Sequence, residues 1–290
     1  MKVVVTGATG FIGSNLVEDL VSHKYEVAIL KRKASDLRSL EGIKDRVHVF
    51  PCDSYDQINY CFSSFNPDIV IHLATEYLYS HSSQDIPSLI SSNIAFGVLV
   101  LEAMEENGCS MFVNFTTRWK HINDKRYNPS NLYAATKQAF EDILIFYAKK
   151  KIRYKTLEIG DTFGPNDSRK KVIDLMIDAC ANHKRLDLTP GDQIVDIVYI
   201  KDLTNFIISK LPLEKFYDNS CITLVGNEMS IKELGEMIEA ICQVNGYLNW
   251  GAKAYRDNEI KKPVRYYKKC LIGKTPMEIA LANYINIKLK

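Results

Sequence analysis

Val3-Val4-Val5-Thr6-Gly7-Ala8-Thr9-Gly10-Phe11-Ile12-Gly13 sets a run of β-branched residues directly against three glycines. The run reads as a strand buried on both faces. Beyond it, Ile12, Leu16, Val17, Leu20 and Val21 form an apolar stripe at helical spacing. A strand that turns through glycines into a helix suits a dinucleotide. One glycine permits the sharp turn, the next lets backbone approach a pyrophosphate, and the third lets the helix close on the strand. The helix N-terminus offers unpaired N–H groups and a partial positive charge.

The same alternation continues outward. Val27–Leu30, Val47–Phe50, Ile69–Ile71, Met111–Phe115 and Thr156–Ile159 read as further strands, and Ile94–Glu106 and Tyr133–Lys149 as helices. Strand–helix–strand repetition predicts an α/β fold, a Rossmann-type doubly wound parallel sheet. The expected division is a dinucleotide-binding domain over residues 1–165 and a smaller mixed lobe over 166–290. A late return to the sheet is expected at about 193–205. Within the lobe, the turn cluster Gly164-Pro165-Asn166-Asp167 precedes a helix at about 170–182. Ser230 and Glu233 form a capping-box signature before Leu234–Ile241.

Composition agrees with a globular chain. Of 290 residues, 46% are apolar and 25% charged, which excludes a disordered regulator, a collagen-like rod and a disulfide-stapled mini-protein. The seven cysteines carry no CxxC pair and suit a reducing compartment; the six histidines show no metal-ligand spacing. No signal peptide and no membrane span are expected, and the location expected is cytoplasmic. The net charge of +2 is uneven, because residues 251–290 carry a net of +7.

The end of the second strand bears on the cofactor. It reads Leu30-Lys31-Arg32-Lys33, with no acid before Asp36. An acid there would accept from a ribose 2′-OH, whereas Lys31 and Arg32 suit a 2′-phosphate. NADP, as NADPH, is therefore expected, with NAD as the alternative if Asp36 folds back.

Farther on, Tyr133-Ala134-Ala135-Thr136-Lys137 opens a helix, so Tyr133 and Lys137 share a face. A nearby ammonium favours tyrosinate and suits Tyr133 for general acid/base work. The strand Met111–Phe115 leads into Thr116-Thr117-Arg118-Trp119, which offers hydroxyls at a strand end.

Together these motifs resemble the extended branch of the short-chain dehydrogenase/reductase superfamily, the NAD-dependent epimerase/dehydratase family, over nearly the whole chain. The resemblance implies Thr117, Tyr133 and Lys137 as the catalytic set, with Thr116 as the fallback for Thr117. It implies Gly7, Thr9, Gly10, Phe11, Ile12, Lys31, Arg32, Asp53, Leu73, Ala74 and Asn93 around the cofactor, joined there by Tyr133 and Lys137. Asp53 resembles the residue that meets the adenine, and Asn93 an Asn that opens a helix. Substrate contacts are expected from Thr116, Trp119, Arg169 and Arg256, with Lys262 and Arg265 as further basic candidates. Glu158 stands where many relatives carry Arg, and Asp196–Asp202 is similar to their late strand.

The blocks 114–144 and 249–260 are similar to the group of CDP-abequose and CDP-paratose synthases. That likeness implies NADPH-dependent reduction of the C4 keto group of a nucleotide-linked 4-keto deoxysugar, for surface polysaccharide such as the O-antigen of lipopolysaccharide. An NAD-dependent 4-epimerase is the alternative. A 4,6-dehydratase is disfavoured, because such enzymes place an acid pair where Arg118 and Trp119 stand. A non-catalytic NADP-sensing or RNA-binding protein has no use for the Tyr-Lys-Thr set. The partner expected is a nucleotide-diphosphate sugar, not a nucleic acid or a membrane. The two helices resemble those that pair relatives into homodimers.

Overall fold

The structure, a computed structural model, describes residues 1–255 and 261–289. The first strands and helices follow the hydrophobic pattern closely. They are β1 (Lys2–Thr6), α1 (Phe11–Ser22), β2 (Glu26–Lys31), β3 (His48–Pro51), α2 (Tyr55–Phe65) and β4 (Ile69–His72). Next come α3 (Ile86–Ile90) and α4 (Phe96–Glu106), joined through a π-helical turn at Ser91–Ala95, then β5 (Met111–Thr117), α5 (Leu132–Ala148) and β6 (Arg153–Ile159). The remainder holds β7 (Asp161–Phe163), α6 (Val172–Ala181), β8 (Leu186–Asp187), β9 (Ile194–Tyr199) and α7 (Ile200–Lys210). It continues with β10 (Ser220–Val225), β11 (Asn227–Ser230), α8 (Ile231–Cys242), β12 (Leu248–Asn249), β13 (Lys268–Leu271) and α9 (Met277–Lys288).

Among the described residues, eight strands form one sheet in the order β13-β10-β6-β5-β4-β1-β2-β3. β1 pairs in parallel with β2 (Val3 opposite Val27) and with β4 (Val3 opposite Ile69). Strand order reverses beside β1, and ligands of such sheets bind at the carboxyl ends of the strands there. Val3, Val4 and Val5 are wholly buried, because helices cover both sheet faces. Each such side chain contributes roughly 1.5–3 kcal/mol.

The chain divides into two compact units. The first comprises Met1–Ile159, Thr204–Thr223 and Arg265–Lys269; the second comprises Gly160–Leu203, Leu224–Val264 and Cys270–Lys290. This corrects the expected boundary and the expected return at about 193–205. β9 instead pairs with β7 and β11 in a separate three-stranded sheet. The strand that joins β6 is β10, Ser220 lying opposite Lys155. Both segments are short apolar runs, and pairing partners lie far away in sequence, so periodicity could not choose between them.

The second unit has its own small core. Phe163 meets the rings of Tyr199 and Tyr284 at 5.4 and 6.0 Å. The capping box at the start of α8 is formed as expected, Ser230 Oγ accepting from Glu233 N–H at 3.1 Å.

The helical stretch Ser83–Glu106 is long and apolar enough, by length and composition only, to cross a bilayer, a test that the core helix of a globular protein also passes. In the fold its buried face (Leu89, Gly97, Val100, Leu101 and Met104) faces the core.

Candidate active site

The glycine turn lies where β1 meets α1. Gly7 has φ +67°, and Gly10 caps α1 in an extended conformation, donating its N–H to Gly7 O at 3.1 Å. No side chain caps this helix end, an arrangement that suits an anion there. A Cβ on Gly13 would stand 2.2 Å from Gly7 O, so only glycine lets α1 pack this close. Thr9, Phe11 and Ile12 sit in or beside the turn, partly buried.

Thr6 ties the turn to β4. Its Oγ1 accepts from Ala74 N–H at 3.1 Å and lies 2.9 Å from His72 Nδ1, while Leu73 N–H donates to Thr6 O at 3.2 Å. Burial holds His72 down to about 3, and the Lys137 charge adds to the effect. The ring is therefore a neutral strut.

At the end of β2, Lys31, Lys33, Val49, Pro51, Asp53 and Gln57 line a hollow of about 320 Å³. Asp53 accepts from Lys33 N–H at 3.1 and 3.2 Å. Arg32 is exposed beside it. Asp36, the acid whose folding back would favour NAD, is taken by Arg38, whose backbone N–H donates at 2.8 Å and whose Nε also donates. These donations hold its carboxyl below the usual range.

The fit to a dinucleotide rests on observed features: an uncapped helix end, a glycine turn too tight for a Cβ, and a basic hollow next to it. Gly7, Thr9, Gly10, Phe11 and Ile12 would hold the phosphates, and Lys31, Arg32 and Asp53 the adenosine end.

Asn93 corrects its expectation. It lies inside the π turn, not at a helix start, and is buried. Its Oδ1 accepts from Thr75 Oγ1 (2.9 Å) and Glu76 N–H (2.7 Å). Its Nδ2 donates to Glu76 O and Thr136 Oγ1, each at 3.0 Å. All four hydrogen-bonding positions are used, so Asn93 fixes the loop after β4 to α5 and has nothing left for a cofactor.

A chain of aromatic rings links the turn after Thr117 to Tyr133. The backbone N–H of Trp119 donates to Thr117 Oγ1 at 3.3 Å, and the Trp119 ring meets Tyr77 edge-on at 6.0 Å. Tyr77 in turn meets Tyr133 edge-on at 5.0 Å, and Tyr79 meets Trp119 at 5.5 Å. Ser130 N–H donates to Trp119 O at 2.9 Å, and Asn131 caps α5 by accepting from Ala134 N–H at 2.9 Å. Those bonds place Tyr133 in the first turn of α5 and Lys137 one turn on. Lys137 is only 5% exposed. Burial pulls it down to about 8, opposed by the Glu141 carboxylate and furthered by the Lys120 ammonium.

Thr116 is not available as a substrate contact. It points to the opposite sheet face from Thr117 and donates its hydroxyl to Glu141. That carboxylate also accepts from Lys120 Nζ at 2.5 and 2.7 Å. Sequence reasoning missed Lys120 and Glu141, although Glu141 continues the Tyr133–Lys137 stripe at the same spacing. It also missed a second buried pair. His121 Nε2 lies 2.8 Å from Glu158 Oε2, while Thr223 Oγ1 donates to Glu158 Oε1 at 2.8 Å. Glu158, noted in the sequence as a departure from the family pattern, thus has partners of its own. Tyr77 and Tyr79 gave no periodic signal.

Of the other expected substrate contacts, Arg169 lies in the second unit and donates to both oxygens of Asp167 at 2.7 Å. Arg256 lies outside the described residues. Lys262 is exposed and Arg265 half-buried.

The model of the NAD dependent epimerase/dehydratase family matches residues 3–214. The CDP-abequose synthase of Yersinia pseudotuberculosis is 27% identical, with all of both chains covered. That of Salmonella muenchen is 26% identical over 89% of this chain and 87% of its own. A UDP-glucose 4-epimerase of Thermotoga maritima, solved with UDP-glucose, superposes with a TM-score of 0.86 at 18% identity, all of both chains covered. A dTDP-glucose 4,6-dehydratase of Bacillus anthracis, solved with NAD, superposes at 0.83 and 18% identity, over 100% of this chain and 96% of its own.

Proposed function

The chain belongs to the NAD dependent epimerase/dehydratase family, and from that premise we propose that it is an NADPH-dependent 4-ketoreductase of a CDP-linked deoxysugar. It is an NAD(P)-dependent oxidoreductase-type enzyme that modifies nucleotide sugars. The finer reading rests on one observation: the turn after Thr117. There Trp119 holds Thr117 Oγ1 and, through Tyr77, reaches Tyr133. The two positions after Thr117 carry no carboxylate to expel a sugar hydroxyl, so Tyr133 is left as the proton donor.

The residues then divide the work. The nicotinamide cofactor, when bound, supplies a hydride to C4. Thr117 Oγ1, already accepting from Trp119, keeps its own proton to donate to the sugar's C4 oxygen. Tyr133 hydrogen-bonds the same oxygen and gives up its proton as negative charge develops there, leaving an alcohol. Lys137, as an ammonium, favours the tyrosinate that remains. The basic end of β2 favours a cofactor with a 2′-phosphate.

Leu99, Ile145 and Phe146 leave apolar surface exposed on α4 and α5, which supports pairing of two subunits through these helices.

The test is direct. The protein is mixed with NADPH or NADH and with CDP-, dTDP-, UDP- and GDP-linked 4-keto-6-deoxy sugars, and cofactor absorbance is followed. Oxidation of NADPH with the CDP sugar is expected. Co-purifying NAD with interconversion of C4 epimers, and no net oxidation, would instead identify an epimerase.

A further inference from the structure

We propose that Glu141 is a positioning residue of this site: its carboxylate is the buried counter-charge that keeps Lys137 an ammonium, and Lys120 competes for it. The inference rests on the reading of Tyr133 and Lys137 given above.

Tyr133, Lys137 and Glu141 follow at four-residue intervals along α5 and so share one helix face. The Glu141 side chain is 11% exposed, and Lys120 is wholly buried. Lys120 Nζ lies 2.5 and 2.7 Å from the two carboxylate oxygens and 5.0 Å from the centre of the Tyr267 ring. Thr116 adds its hydroxyl to the same carboxylate, tying the end of β5 to α5. Two ammoniums and one carboxylate therefore share a poorly solvated region, where charges act on each other more strongly than in water.

The titratable groups set around Lys137 are Tyr133 and Glu141 on its own helix, Lys120 from the turn after β5, and His72 at the end of β4. His72 is neutral, so Glu141 and Lys120 decide the local charge balance. Around the pair, burial pushes Tyr154, Cys221 and Tyr267 up, which keeps them neutral as well. The signs are opposite. Removing the Glu141 charge favours neutral Lys137; removing the Lys120 charge releases Glu141 entirely to Lys137 and favours the ammonium.

The experiment uses the full chain with 13C-labelled lysine and follows the Lys137 Cε signal against pH by NMR, assigned with Lys137→Arg. In Glu141→Gln the midpoint is expected to fall by roughly one unit, and in Lys120→Met to rise by a similar amount. The alkaline limb of the NADPH-dependent rate profile should move in the same directions. Midpoints that stay put, or that move together in both variants while thermal stability falls, would overturn the proposal and leave Glu141 a purely structural partner. If the midpoints split as expected while Tyr133→Phe turns over at full rate, the counter-charge stands and the catalytic assignment fails. Should Glu141→Gln not fold, Lys120→Met alone decides the sign.

Discussion

Gly7 lies flat against Ala74: a Cβ on residue 7 would stand 2.6 Å from the Ala74 amide nitrogen. The contact joins the turn after β1 to the loop after β4, so the residues expected around the cofactor are locked to one another before any ligand arrives. The left-handed backbone at Gly7 adds a second bar to any side chain.

Gly7→Ala should therefore lose at least about 2 kcal/mol of stability, from the αL penalty and the clash together. Gly42→Ala, where a Cβ meets nothing within 4 Å, should stay near wild type. Urea denaturation of the two variants side by side checks this.

Tyr133→Phe should lower turnover by roughly 10²- to 10⁴-fold, the usual contribution of a positioned proton donor. Cofactor affinity, followed by NADPH fluorescence, should hardly change, because the ring and its edge contact with Tyr77 remain. Full turnover in this variant would remove Tyr133 from the mechanism.

Arg32→Ala should weaken NADPH binding about tenfold or more, since a charge-assisted hydrogen bond is worth about 1.5–3 kcal/mol. NADH binding should be unaffected. Equal losses for both cofactors would rule out a 2′-phosphate site at the end of β2.

His72 makes stability depend on pH. The unfolded ring takes a proton near 6.5, the buried one only at about 3. Between those values the unfolded chain binds more protons, so stability falls as pH drops through that window, by up to about 1.4 kcal/mol per unit. On going from pH 7 to pH 5 the wild type should lose about 2 kcal/mol more than His72→Gln. Equal losses in urea denaturation would show that His72 is not buried neutral.

How much of the site was legible can be judged residue by residue. The turn at Gly7–Gly13 and the pair Tyr133–Lys137 were readable, because each is a short pattern whose geometry follows from one turn or one helix repeat. Asn93 was legible as a notable residue but not in its role. Only the fold shows its amide filled by Thr75, Glu76 and Thr136. Thr116 and Thr117 are adjacent and chemically alike, and it is the pleat of β5 that sends one to Glu141 and the other toward Trp119 and the aromatic bridge.

By itself, then, the sequence determined the α/β class, the glycine turn between β1 and α1 and the helix that carries Tyr133 and Lys137, since apolar period and glycine placement act over a few residues. The tertiary structure alone decided that β10, not β9, rejoins the sheet beside β6. It alone also decided that Glu141 meets Lys120 and that Glu158 meets His121. Strand pairing and the ionic state of a buried group depend on what covers each residue from elsewhere in the chain. Glu158 and Thr223 touch across 65 positions. No local pattern records that distance, and desolvation exists only once the fold has closed.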